Sequence, residues 1–170
     1  GLATWLQGSV AEAIARNLCA PVLVVPNQSR GFVDPQSGTV DLRRVIIPAG
    51  DASEARKAVA AAQLLAGIAE SPVDLEIVHA GPIDPDLEHL GLAIRRIAGA
   101  LEDAIVAAAR ARDACLIVMA TRGHDAVGDV LLGSHTERVI REACCPVLSV
   151  PDGWIAPGTT VPDIRLTAAR

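Results

Sequence analysis

The sequence predicts a doubly wound α/β fold on a parallel sheet, and three observations carry that reading. From residue 43 onward, short apolar runs alternate with helix-length stretches, the pattern of βαβ units. Residues 114–120, Ala-Cys-Leu-Ile-Val-Met-Ala, are apolar without alternation, as a central strand covered by helices on both faces must be. Residues 8–26 and 133–151 repeat one another without a gap, and each copy reads as a helix followed by a short buried strand.

In the repeat, both copies begin Gly-Ser and place a glutamate three residues after that serine, Glu12 and Glu137. This Ser-x-x-Glu spacing is a capping box, in which hydroxyl and carboxylate satisfy free N–H groups at a helix start. Both copies end Cys-x-Pro-Val-Leu-x-Val-Pro, a strand closed by proline. Only seven residues precede the first copy, so residues 1–26 are expected to be the last helix and strand of a truncated first domain. Residues 27–42, rich in Gly, Ser, Pro and Asp, read as a linker. The complete domain is expected over 43–151, and 152–170, which lack periodicity, as a mobile tail.

Within the complete domain, Val45–Ile47 form the first strand. A helix over 51–70 follows, capped by Asp51 or Ser53, with Ala55, Val59, Ala62, Leu65, Ala66 and Ala69 on one apolar face. Leu75–Val78 is the next strand, Leu92–Ile97 a weaker one, and 101–112 an Ala-rich helix leading into the central strand at 114–120. The second repeat copy closes the domain with a strand at Val147–Val150.

Composition narrows the function. No apolar run approaches the ~18 residues a membrane helix needs, and no secretory signal is visible. Fifteen basic and twenty acidic residues give a net charge of −5. No Lys/Arg cluster is present to neutralise a run of phosphates, and aromatics are too few for base stacking, so neither nucleic acid nor membrane is an expected partner. Cys19, Cys115, Cys144 and Cys145 show no Cys-x-x-Cys pair and no zinc-finger histidines, which fits a reducing, cytoplasmic setting. No Gly-x-Ser-x-Gly elbow occurs. The His124–Asp125 pair, even with His135, has no further metal ligand in sequence and reads more simply as solvated. Neither a catalytic nor a metal site is expected.

In open parallel sheets, ligands bind beyond the carboxyl ends of the strands. There the central strand runs into a loop holding Gly123, Gly128 and Gly133, then Ser134 at a helix start. Glycines permit close backbone approach, and a helix N-terminus favours an anion. On the segment alone, a turn at Gly133 and a cap at Ser134 are the simpler account of the pattern. Gly128-x4-Gly133-Ser134 lacks the Walker lysine, and PAGDASEA after the first strand is no dinucleotide fingerprint.

Taken together, a strand ending in proline, an Ala-rich helix and the run IVMATRG…GS…TERVI…CPVLSVP resemble the universal stress protein family, over about residues 43–151. The recurrence at 8–26 resembles a tandem, two-domain member. The resemblance implies a five-stranded parallel sheet of order 3-2-1-4-5, with the extra N-terminal helix and strand pairing antiparallel on the last strand. It implies adenine-nucleotide binding through Gly-x2-Gly-x9-Gly-Ser/Thr, of which Gly123, Gly133 and Ser134 supply the second half and Ala120 replaces the first glycine.

Where nucleotide-binding members carry an aspartate after the first strand, Gly50 stands, with Asp51 one residue later. The short link between strands two and three leaves no room for the usual long helix. The implied ligand is ATP with magnesium. Arg122, Gly123, Gly133, Ser134, His135 and Thr136 would lie around the phosphates beside Ala120, with Gly50, Asp51 and Val78 at the adenosine end. The implied role is a stress-response or regulatory binding protein, with at most slow ATP hydrolysis. The competing reading is a nucleotide-free interaction module of the same fold. It would be a homodimer, or an intrachain pseudo-dimer in which Pro21–Val25 pairs with Val147–Val150.

Overall fold

The computed structural model describes residues 20–26, 29–69, 71–121 and 134–157. Six strands form one sheet: β1 (Val22–Val24), β2 (Arg44–Pro48), β3 (Asp74–Ala80), β4 (Ala93–Ile97), β5 (Leu116–Thr121) and β6 (Val147–Pro151). Their spatial order is β1-β6-β5-β2-β3-β4. From β2 onward this is the predicted 3-2-1-4-5 arrangement, parallel throughout. β1 adds the single antiparallel pairing, with Val22 opposite Ser149 and Val24 opposite Val147.

Four helices accompany the strands among the described residues: α1 (Ala52–Ala66), α2 (Pro85–Glu88), α3 (Leu101–Ala111) and α4 (Ser134–Glu142). The period-2 geometry of a strand divides the core into two layers. Val45 and Ile47 face one side with Leu75, Ile77, Leu116 and Val118, where Ala52, Ala55, Ala58, Ala61 and Ala62 of α1 cover them. Ile46 faces the other side with Val78, Ile117, Met119 and Val147, under Ile105, Val106 and Ala109 of α3 and Val139 of α4. Alanine along the buried face of α1 lets its backbone lie close on the sheet, at no cost in side-chain entropy.

Several boundaries differ from those predicted, for local reasons. β5 starts at Leu116, after Asp113 adopts a positive φ of 50°, and Cys115 just before it already donates its N–H to the carbonyl of Arg44 on β2. The link between β3 and β4 is short, as predicted. It holds only the single turn of α2, capped by the Asp84 side chain and anchored by the buried Leu87.

Part of the segment read as a linker packs down. Val33 bridges Val40, and Phe32 and Leu42 are 7% and 1% exposed within the α1-side core. The start of the expected tail is tied as well, through an Asp152–Lys57 ion pair and Trp154 packed on the same core. The expected N-terminal helix and residues 158–170 lie outside the described residues. No described helix is long and apolar enough to cross a membrane.

Candidate functional site

The direction of winding reverses between β2 and β5, because β3 and β4 build away on one side and β5 and β6 on the other. The crevice beyond the carboxyl ends of these two strands is where such a sheet receives a ligand. On the β2 side it is bounded by Gly50 and Asp51, and on the β5 side by Ala120 and Thr121, both half-buried. α4 begins at Ser134, so the expected Gly-Ser step falls at a helix N-terminus, where N–H groups are free to meet an anion. Arg122, Gly123 and Gly133, together with His124 and Asp125, lie outside the described residues.

The β2–α1 turn is closed by a reciprocal cap. The Asp51 carboxylate accepts the Glu54 N–H at 2.9 Å, and the Glu54 carboxylate reaches back to accept the Gly50 N–H at 2.7 Å. This is capping-box chemistry with an aspartate as first member. Asp51 thus takes the first of the two roles its position allows, as helix cap. Val78, expected at the adenosine end, is 1% exposed and its side chain belongs to the core under α3. Its carbonyl accepts the Ala49 N–H at 3.1 Å. Val78 therefore shapes the floor of the crevice without offering it a side chain.

Sequence reasoning passed over His79, the residue beside Val78. It is 5% exposed, and its ring bridges the two loops at this end of the sheet. Nδ1 lies 2.8 Å from the Ala49 carbonyl oxygen and Nε2 2.7 Å from that of Pro82. Gly81, with φ of 96°, supplies the backbone that turns Pro82 toward the ring, a conformation glycine adopts without strain. A histidine two residues before Gly-Pro at a strand end was the available signal.

At the start of α4, His135 and Thr136 part company. Thr136 is 3% exposed. His135 places Nδ1 2.9 Å from the Glu102 carboxylate on α3, with Arg138 Nη1 at 3.7 Å from the same oxygen. The Glu102 carboxyl is held below its ordinary value chiefly by its own backbone N–H, then by His135, with Arg138 adding a weaker attraction. This cluster ties the first turns of α3 and α4 together. Among the described residues no group of His, Cys, Asp or Glu is arranged to hold a metal ion.

Residues 86–151 match the sequence profile of the universal stress protein family. A Thermus aquaticus protein, described as a universal stress protein in the QAH/OAS sulfhydrylase 3′ region, is 54% identical over 48 residues. That stretch covers 28% of this chain and 35% of the relative. These findings support the universal stress protein family. In three dimensions, a universal stress protein from Archaeoglobus fulgidus superposes with a TM-score of 0.60 at 22% identity, over 86% of this chain and 56% of that one. A Pseudomonas aeruginosa structure does so with a TM-score of 0.53 at 18% identity, over 83% and 55% of the two chains. At these identities the superpositions establish the shared fold. The chain thus spans little more than half the length of these structures and about a third of the Thermus relative.

Proposed function

We propose that this universal stress protein-like chain is a stress-response or regulatory protein that binds an adenine nucleotide, ATP with magnesium, in the crevice between β2 and β5. The observation that carries the reading is the start of α4 at Ser134, at the end of the Gly123-x9-Gly133-Ser134 run that follows β5, one of the two strands at the switch point. Backbone N–H groups of the first turn and the Ser134 hydroxyl would hold phosphate oxygens, with Gly123, Gly133 and Arg122 completing the loop. His135 and Thr136 would set the helix in place through Glu102 and the core.

Adenosine would rest against Gly50 and the floor over Val78. The Asp51 carboxylate and the Gly50 N–H are engaged in the α1 cap, so the adenosine end relies on backbone and shape. Each hydrogen bond not made to a buried ligand group costs ~1–3 kcal/mol, so the expected affinity is modest. No general base stands among the described residues of the crevice, and any hydrolysis would be slow. Calorimetric titration with ATP and magnesium, repeated on Gly133→Val combined with Ser134→Ala, tests the reading. Micromolar binding lost in the double variant supports it, and absence of heat to millimolar ATP removes it.

A second reading, a nucleotide-free interaction module derived from a tandem ancestor, is favoured by the antiparallel β1–β6 pairing. That pairing gives one chain the edge contact that two copies would otherwise make. A protein of unchanged oligomeric state with and without ATP, carrying no co-purified nucleotide, would favour it.

A further inference from the structure

The opposite end of the sheet holds a second cleft that the proposed nucleotide site does not use. A cavity of about 910 Å³ opens at the amino ends of β2 and β5, lined by Arg30, Arg43, Arg44 and Arg110 and by the thiol-bearing Cys115 and Cys144. Asp34, Asp41 and Asp113 share the wall, yet two of them already have their oxygens engaged. Arg43 forks onto Asp41, with Nε and Nη2 at 2.6 and 2.8 Å from its two oxygens. The Asp34 carboxylate is occupied within its own turn by the N–H groups of Gln36 and Ser37. Asp34 keeps its negative charge with its oxygens partly taken, Asp113 is exposed at the rim, and neither carboxylate is hydrogen-bonded to the other three guanidinium groups.

Those three groups have donors to spare. Arg44 gives one N–H to the Arg112 carbonyl. Its Nε is buried without a hydrogen-bond partner, the nearest carboxylate oxygen, on Asp74, standing 3.8 Å away, beyond hydrogen-bond reach. Arg110 donates one N–H to the Glu142 carbonyl at 3.1 Å. Arg30 is exposed, and no hydrogen bond or ion pair involves it among the described residues. Each guanidinium carries five N–H donors in a planar fork suited to phosphate and carboxylate oxygens. Three such forks with unused N–H donors around one cavity stand out in a chain of net charge −5.

We infer that this cavity is a second ligand site, specific for a small oxyanion such as a phosphorylated or polycarboxylate metabolite. The inference goes beyond the nucleotide reading and does not depend on it, because the two sites lie at opposite ends of the strands. The anion would sit between Arg30, Arg44 and Arg110, next to Cys144 and Cys115. Occupancy would then be reported by the thiols.

The test follows alkylation of Cys115 and Cys144 by neutral iodoacetamide, mapped by mass spectrometry, with inorganic pyrophosphate or citrate added. With a Kd of about 1 mM, about 10 mM anion slows alkylation about tenfold, since occupancy sets the free fraction. Protection by pyrophosphate alone assigns the phosphate class, and protection by both assigns oxyanions generally. Arg30→Gln combined with Arg110→Gln, two exposed positions, is expected to abolish protection while leaving the thermal midpoint without anion unchanged. Gly133→Val combined with Ser134→Ala is expected to keep it, so loss of the nucleotide site and loss of this one are distinguishable. Alkylation rates unmoved by either anion would overturn the inference and leave the arginines as partners of helix C-termini.

Discussion

Arg112, just past the end of α3, donates its Nε to the Glu76 carboxylate on β3 at 2.8 Å. Arg95 on the edge strand β4 donates to the other oxygen, also at 2.8 Å. The carboxylate is 5% exposed while the two arginines are 36% and 46% exposed, so removing the acid leaves cations that water can reach. Glu76→Ala is therefore expected to cost about 1–3 kcal/mol, less than the loss of one partner from a fully buried pair. A urea midpoint unchanged from the parent would contradict this.

The junction of α3 and α4 makes stability depend on pH. The Glu102 carboxyl is depressed below its ordinary value of 4.5. It therefore contributes stability that is present above that value and lost as pH falls through the lower folded-state value. The gap between parent and Glu102→Gln in chemical denaturation should be open at pH 7 and close progressively in acid. A gap independent of pH from neutrality down to pH 3 would show that Glu102 acts by packing alone.

In the layer under α3, Ile117 on β5 is 0% exposed and has no route to relax toward solvent. Ile117→Ala is expected to cost about 2–5 kcal/mol. Ile155, 87% exposed, provides the contrast, and its replacement by alanine should fall within ~0.5 kcal/mol of the parent. Thermal midpoints of the two variants check both values.

Thiol chemistry should divide the neighbouring cysteines. Burial, with smaller effects from Cys144 and Cys115, pushes the Cys145 thiol up to about 12, so almost no thiolate exists near neutral pH and the thiolate is the nucleophile. In the native protein, iodoacetamide should label half-buried Cys144 and Cys115 well before Cys145. Equal labelling of all three at pH 8 would show that the β6 start opens to solvent.

The antiparallel pair carries its own expectation. Deleting residues 1–30 removes β1 and uncovers the backbone edge of β6, which is apolar around Val147 and Val150. The shortened chain should gain mass in light scattering, by pairing through β6 or by aggregating. A monodisperse species with the parent's oligomeric state and melting temperature would show that β1 contributes nothing.

Much of this architecture was legible in the sequence, for a physical reason. A parallel strand buried on both faces must be an unbroken apolar run, so the core of β5 was visible from Leu116 to Ala120. The repeat marks β1 as a copy of β6. Interactions that depend on distant chain segments were not legible. Glu76 meets Arg95 and Arg112 across 19 and 36 positions, and no local pattern marks such a meeting. Phe32 and Leu42 were hidden inside a stretch whose glycines and serines suggested only a tether. At the candidate site, Asp51 was readable both as a cap and as a ligand contact, and packing of the turn gives it the cap.

The tether also decides how β6 can be used. Because β1 and β6 belong to one molecule, their pairing is a ring closure, and even a flexible connection would hold such ends at an effective concentration in the millimolar range, which the packing of Phe32 and Leu42 can only raise. A second copy at micromolar concentration competes for the same edge at a disadvantage of about a thousandfold, or about 4 kcal/mol. Any partner that docks on β6 must overcome that factor, whereas the opposite edge at β4 carries no such competitor among the described residues and presents Arg95 and Arg96 to solvent.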